Sequence, residues 1–126
     1  MSALALGRQM LEGWNTGRFE LIFATFDPGI VVRPDPNWPE GVFFGTDSVQ
    51  RFWQSVRENM GEGEMIVEEE HDLGDRAFWR LRQPVHSASG VKGAFSWSFL
   101  VTARSGSVIL VEFFIDDARI RAELGI

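Results

Sequence analysis

Apolar residues at Ala3, Leu6, Met10 and Trp14, with Leu4 and Leu11 beside them, recur at helical spacing and predict a first helix. Gly17 suits the position just past its end, because glycine adopts a left-handed backbone without steric cost. Phe19, Ile22, Phe23 and Phe26 repeat the same spacing and predict a second helix, stopped by Pro28. Ile30, Val31 and Val32 predict a short strand, and three prolines within residues 34–39 then forbid both helix and central strand, leaving an ordered loop. A third helix is predicted from a cap at Thr46 or Asp47, with Val49, Phe52, Trp53, Val56 and Met60 as its buried stripe and Gly61 and Gly63 at its end.

Beyond Glu64 the helical period disappears. Residues 65–73 and 77–85 flank Gly74-Asp75, a tight-turn signal, and residues 91–103 and 108–115 flank Ser105-Gly106. Asp116-Asp117 is expected to cap a short terminal helix ending near Leu124. Helices gathered ahead of a run of antiparallel strands define an α+β class. The expected architecture is a conical barrel in which a curved, mostly antiparallel sheet of roughly four to six strands wraps over three N-terminal helices. Residues 1–126 are expected to form one domain.

Composition narrows the chemistry. The chain has 11 Phe and 5 Trp but no Tyr, so aromatic area is large while a phenolic acid is excluded. A formal net charge of −6 opposes binding to nucleic-acid phosphates. With no cysteine, disulfides and thiolate chemistry are excluded. No apolar run approaches the roughly 20 residues that span a bilayer, and Met1-Ser2-Ala3-Leu4 shows no signal-peptide pattern, so neither a membrane partner nor export is expected and the default is cytoplasmic.

Trp14-Asn15-x-Gly17, Asp27-Pro28, Arg33-Pro34-Asp35-Pro36 with Pro39-Glu40-Gly41, Gly45-Thr46-Asp47-Ser48-Val49, Asp72-Leu73-Gly74-Asp75 and Gly106-x-Val108-Ile109 run in order along nearly the whole chain. Together they resemble the SnoaL-like branch of the nuclear transport factor 2-like (NTF2-like) superfamily. The resemblance implies a conical, cystatin-like α+β fold that often pairs as a homodimer through the sheet. It implies less about function, because isomerases, cyclases, epoxide hydrolases, dehydratases and binding modules share the fold. Ketosteroid isomerases, similar to this family, use a Tyr and two Asp. The matching places hold Met10 and Arg33 and fall near Ser98 or Phe99, which disfavours that reaction. SnoaL-type cyclases place an acid/base Asp on the last strand, where this chain has Phe113 with Glu112 and Asp116 nearby. The Asp-Arg-Asp set of limonene-type epoxide hydrolases cannot be located by spacing.

Glu112 interrupts a strand apolar on both faces; such an acid must be paired or held neutral, and a neutral carboxylic acid could donate a proton to a ligand. A salt bridge to Arg80, Arg82 or a partner subunit is the plainer alternative. Arg33, where a strand enters the proline loop, could hold a ligand oxyanion or simply pair with Asp35 or Glu40. His71 and His86 are the side chains suited to proton exchange near neutrality, and His71 shares a strand face with Glu69. A two-residue turn at Gly74-Asp75 sets Glu69 against Arg80 and His71 against Phe78; a bulged turn sets Glu70 against Arg80 and His71 against Trp79. Either register makes cross-strand ion pairs on a solvated or dimer-facing surface. No metal-ligand spacing is evident, and no cofactor is expected.

The pocket is expected to be lined by Met10, Trp14, Phe26, Trp38, Phe52 and Trp53 from the first half, and by Trp79, Arg82, Phe95, Trp97 and Phe113 from the strands. The expected partner is a small apolar or aromatic metabolite. Glu112 or Asp116 would move a proton and Arg33 or Arg82 would steady oxyanion charge in a cofactor-free cyclase, isomerase or hydratase; the alternative is a non-catalytic binding or dimerisation module.

Overall fold

The first apolar stripe forms α1 (Ala3–Thr16), and its Ala3, Leu6, Met10 and Trp14 are all buried. The Ser2 hydroxyl accepts the Ala5 N–H at 3.1 Å at the start, while Gly17, with φ 71°, returns its N–H to the Trp14 carbonyl at the end. Asn15 then ties this helix to the sheet in both directions. Its Oδ1 accepts the Met65 N–H at 2.8 Å and its Nδ2 donates to the Met65 carbonyl at 3.2 Å. Gly7 has a separate role: a Cβ there would lie 2.0 Å from Trp79, so only glycine lets α1 settle on the indole.

The structure, a computed structural model, describes residues 1–37, 41–60, 64–86 and 92–126, without the side chains at 59, 60, 85, 86 and 92. Trp38, Pro39 and Glu40, the helix-ending Gly61 and Gly63, and the His86 side chain lie outside the described residues.

The second helix is shorter than its aromatic stripe predicts. α2 covers Phe19–Phe23, and Phe26 opens β1 (Phe26–Arg33), so Pro28 lies within the strand. The Thr25 hydroxyl donates to the Ile22 carbonyl at 2.7 Å, and the Thr25 carbonyl accepts the Val108 N–H at 2.7 Å, which draws the chain into the sheet. Pairing shifts register between Phe26 and Val31, and in that irregular stretch Pro28 costs no ladder bond while Asp27 Oδ2 takes the Gly29 N–H at 2.8 Å.

After β2 (Phe43–Phe44), too short to leave a sequence signal, come α3 (Thr46–Met60), β3 (Ile66–Asp72), β4 (Arg76–His86), β5 (Lys92–Arg104), β6 (Ser107–Phe114) and α4 (Ala118–Leu124). The strands form one sheet in the order β2-β1-β6-β5-β4-β3. β1 and β6 run parallel; the other neighbours are antiparallel. The β3–β4 hairpin takes the two-residue register, with Glu69 opposite Arg80 and His71 opposite Phe78. Ser105 at φ 52° and Gly106 at φ 78° make the β5–β6 turn left-handed at both positions, as a tight hairpin requires.

The sheet has two covered faces. Ala77, Trp79, Leu81, Trp97, Phe99, Val101 and Val111 point inward and join the core built with α1 and α3. Phe78 and Leu100 alternate onto the outer face, where they are fully buried yet stand apart from that core. There α4 lies, with Arg121 5.1 Å over the Phe78 ring. The two aspartates before α4 divide their work. Asp116 Oδ1 accepts the Ala118 N–H at 3.1 Å, whereas Asp117 makes no side-chain cap and turns to the sheet. Among the described residues, no helix is long and apolar enough to cross a membrane.

Candidate functional site

α3 presents Phe52, Trp53 and Val56, spaced on one helical face, toward the ends of β5 and β6. Inward positions of those strands answer with Phe95, Trp97 and Phe113. Between them is a cavity of about 70 Å³, completed by Pro34, Asp35, Phe114 and Ile115 at its rim. Its open walls are apolar. Phe113 lies at the centre of the aromatic packing, 4.9 Å from the Trp97 ring and 5.7 Å from those of Trp53 and Phe52. Deeper in, Met10, Leu11, Trp14, Met65 and Phe99 enclose a smaller chamber of about 10 Å³, and Trp53 and Trp97 border both spaces.

Asp35 is the ionisable side chain at this site, and it is 8% exposed. Its Oδ1 accepts the Asn37 N–H at 2.9 Å and its Oδ2 accepts the Ile115 N–H at 2.8 Å, joining the proline loop to the end of β6. Sequence reasoning treated Asp35 only as a partner for Arg33. A DP pair inside a proline loop signals a turn, but the bond to Ile115 joins the ends of the neighbouring strands β1 and β6, 80 residues apart in sequence, and leaves no local trace.

Of the expected pocket residues, Phe52, Trp53, Phe95, Trp97 and Phe113 line the main cavity, and Met10 and Trp14 line the inner chamber. Phe26 sits in the general core. Trp79 is completely buried, stacked on Phe99 at 4.7 Å, with its indole N–H donated to Glu70 at 2.9 Å. Arg82 is exposed, alternating outward between Leu81 and Gln83.

The expected acid/base residues stand elsewhere. Glu112 pairs in register with Leu100 of β5 and Arg33 of β1, all on the outer face, because Val111 and Phe113 on either side point inward. Glu112 is half-buried and Arg33 exposed. Asp116 is exposed and engaged with α4. His71 packs against Phe78 with its ring centroid 6.0 Å away and its Nε2 3.7 Å from Glu69, again on the outer face. None of the four borders either chamber.

Glu69, Glu70 and Arg80 find partners on or beside the helices rather than across the β3–β4 hairpin. Arg121 of α4 bonds both Glu69 and Asp117, the latter at 2.8 Å; Arg80 reaches Asp117 at 3.5 Å and Ser98 at 3.1 Å; and Ser98 donates to Asp117 at 2.7 Å. Burial pulls the Asp117 carboxyl upward, but the Ser98 and Arg121 hydrogen bonds outweigh it and hold it below its ordinary value. On the inner side, Arg8 of α1 pairs with Glu70 and holds that carboxyl low as well. Among the described residues, no group of three or more His, Asp or Glu is placed to hold a metal ion.

A six-stranded sheet folded over N-terminal helices, with an apolar cavity under one end, is the NTF2-like, cystatin-like fold. The chain belongs to the SnoaL-like domain family, which it matches over residues 7–121. It is similar to an NTF2-like protein of unknown function from Burkholderia pseudomallei, with 17% identity, full coverage of both chains (100% and 100%) and a TM-score of 0.80. It is also similar to TerC, crystallized with polyporic acid, at 16% identity, 98% coverage of both chains and a TM-score of 0.79. A third similar structure is a putative SnoaL-like polyketide cyclase from Jannaschia sp., at 19% identity, covering 90% of this chain and 88% of the other, with a TM-score of 0.74. Among curated proteins, none matches.

Proposed function

We propose that this SnoaL-like domain binds a small, flat, largely apolar aromatic metabolite in the cavity between α3 and the ends of β5 and β6. The observation that carries this reading is the cavity wall itself: Phe52, Trp53, Phe95, Trp97 and Phe113 converge there, and the open surface they leave is apolar. Aromatic rings favour offset and edge contacts with a planar guest, and five such side chains on three elements line the cavity. TerC's polyporic acid and the polyketide cyclases among the similar structures point to the same kind of guest.

Binding, rather than acid/base turnover by Glu112, is the better reading, because Glu112, Arg33, His71 and Asp116 all stand away from the cavity. Asp35, the carboxylate at the rim, has both oxygens taken by the Asn37 and Ile115 N–H groups and serves to hold the rim together.

The test is calorimetric titration with polyporic acid, 1-naphthol and 9-fluorenone, repeated on Val56→Trp, which fills the cavity from α3. The expected result is single-site binding of at least one compound, lost in Val56→Trp while the fold is retained. Absence of binding by all three, or binding indifferent to the filled cavity, would overturn the proposal.

A further inference from the structure

α4 has seven residues, and none of them is buried. A helix this short is marginal in water by itself, so its helicity depends on what it docks against. Among the described residues, its side-chain polar bonds to the sheet run through Arg121. That guanidinium donates to Asp117 at 2.8 Å and to Glu69 of β3, and it lies 5.1 Å over the Phe78 ring of β4. Beneath it Phe78 is completely buried, outside the main core. Ile120 and Leu124, the larger apolar residues of α4, are only half-buried. α1 and α3 are held by residues sunk in the core, whereas α4 is held by charge.

The chain leading into α4 is fixed independently of it. Ile115 is bonded to Asp35 at 2.8 Å and to Arg80 at 3.3 Å, and the Asp117 carboxylate takes the Ser98 hydroxyl at 2.7 Å. Movement of the helix therefore ends at Asp117, whose backbone, at φ −104° and ψ 6°, already departs from helical geometry. We propose that α4 is a strap that opens as a unit about Asp117, with Arg121 as its clasp, baring the Phe78 ring while the sheet and the cavity stay folded. Once undocked, seven residues do not hold a helix, so opening and melting of the strap are one event. The Glu69 side chain is 44% exposed, which leaves the sheet-side arm of the clasp open to screening by dissolved ions. Ionic strength thus sets the fraction of molecules whose outer face shows Phe78.

Backbone hydrogen exchange, read by ¹⁵N NMR, follows strap and sheet in one sample. The Arg121 N–H, bonded to the Asp117 carbonyl at 2.9 Å, and the amides of residues 122–124 report α4, while those of β4 and β5 report the sheet and show that each variant is folded. The expected result is that the α4 amides of the wild type exchange faster than the slowest sheet amides. Arg121→Met should speed them about tenfold and Glu69→Gln about threefold, with the sheet amides unmoved. Raising sodium chloride to about 0.5 M should speed them in the wild type and leave Arg121→Met unchanged. α4 amides that exchange only together with the sheet, or at rates left unchanged by Arg121→Met or by salt, would overturn the proposal.

Discussion

The Ile115 N–H donates to the Asp35 carboxylate at 2.8 Å, linking residues 80 apart in sequence. Ile115 is held from the other side too, where its carbonyl accepts from Arg80 at 3.3 Å. The end of β6, one wall of the cavity, is thus pinned between the proline loop and the outer-face network that carries α4.

Removing the carboxylate leaves the Asn37 and Ile115 N–H groups without their acceptor. Asp35→Ala should destabilise the fold by about 1–3 kcal/mol, and Asp35→Asn by less, since it retains one acceptor oxygen. Urea unfolding of the three proteins checks the order, and equal stability of Asp35→Ala and wild type would contradict it.

Gly7 gives an effect opposite to helix propensity. Alanine in a helix interior normally gains up to about 1 kcal/mol over glycine. Here the added methyl meets the Trp79 ring, which is 0% exposed and cannot swing away. Gly7→Ala should lose about 1–3 kcal/mol and lower the thermal midpoint.

Acid should weaken the fold through Asp117 and Glu70. Both carboxyls are held below their ordinary values, so the unfolded chain binds protons more readily than the folded one. Their contribution is whole above about pH 5, and drains as pH falls past the ordinary carboxylate range of ~3.9–4.3 and through the lower folded values. The double variant Asp117→Asn, Glu70→Gln should show a flatter loss of stability between pH 5 and the acid limit in urea unfolding at stepped pH. An unchanged slope would show that other groups govern it.

Outer-face charges should be silent in binding. Glu112 and Arg33 share the face opposite the cavity. Glu112→Gln and Arg33→Ala should leave the affinity for an aromatic guest within about twofold of wild type, well under the tenfold that 1.4 kcal/mol represents. A tenfold loss in either, by calorimetry, would return the functional site to that face.

The helices were legible where the stripe ran over several turns: every member of the Ala3, Leu6, Met10, Trp14 series is buried, as are Val49, Phe52 and Trp53. Phe26 misled because burial at a single position does not distinguish a helix from a strand, and it is buried in β1 as it would have been in a longer α2. Strand existence was readable, but strand facing was not. β6 is apolar on alternate residues of both faces, since α1 and α3 back one side of the sheet and α4 part of the other. That removes the period-two contrast by which Glu112 could have been assigned to a face. The aromatic wall was visible in composition and spacing, whereas the rim carboxylate was not, because its partner Ile115 is supplied by tertiary folding alone.

The central claim is tested most directly by labelling the five tryptophans with fluorine, assigning each ¹⁹F resonance by a Trp→Phe variant, and adding a guest from the panel. The account predicts that the Trp53 and Trp97 resonances move with a common saturation curve while Trp79, packed away from both chambers, stays in place. A saturable guest that moves Trp79 and leaves Trp53 and Trp97 unshifted would contradict it.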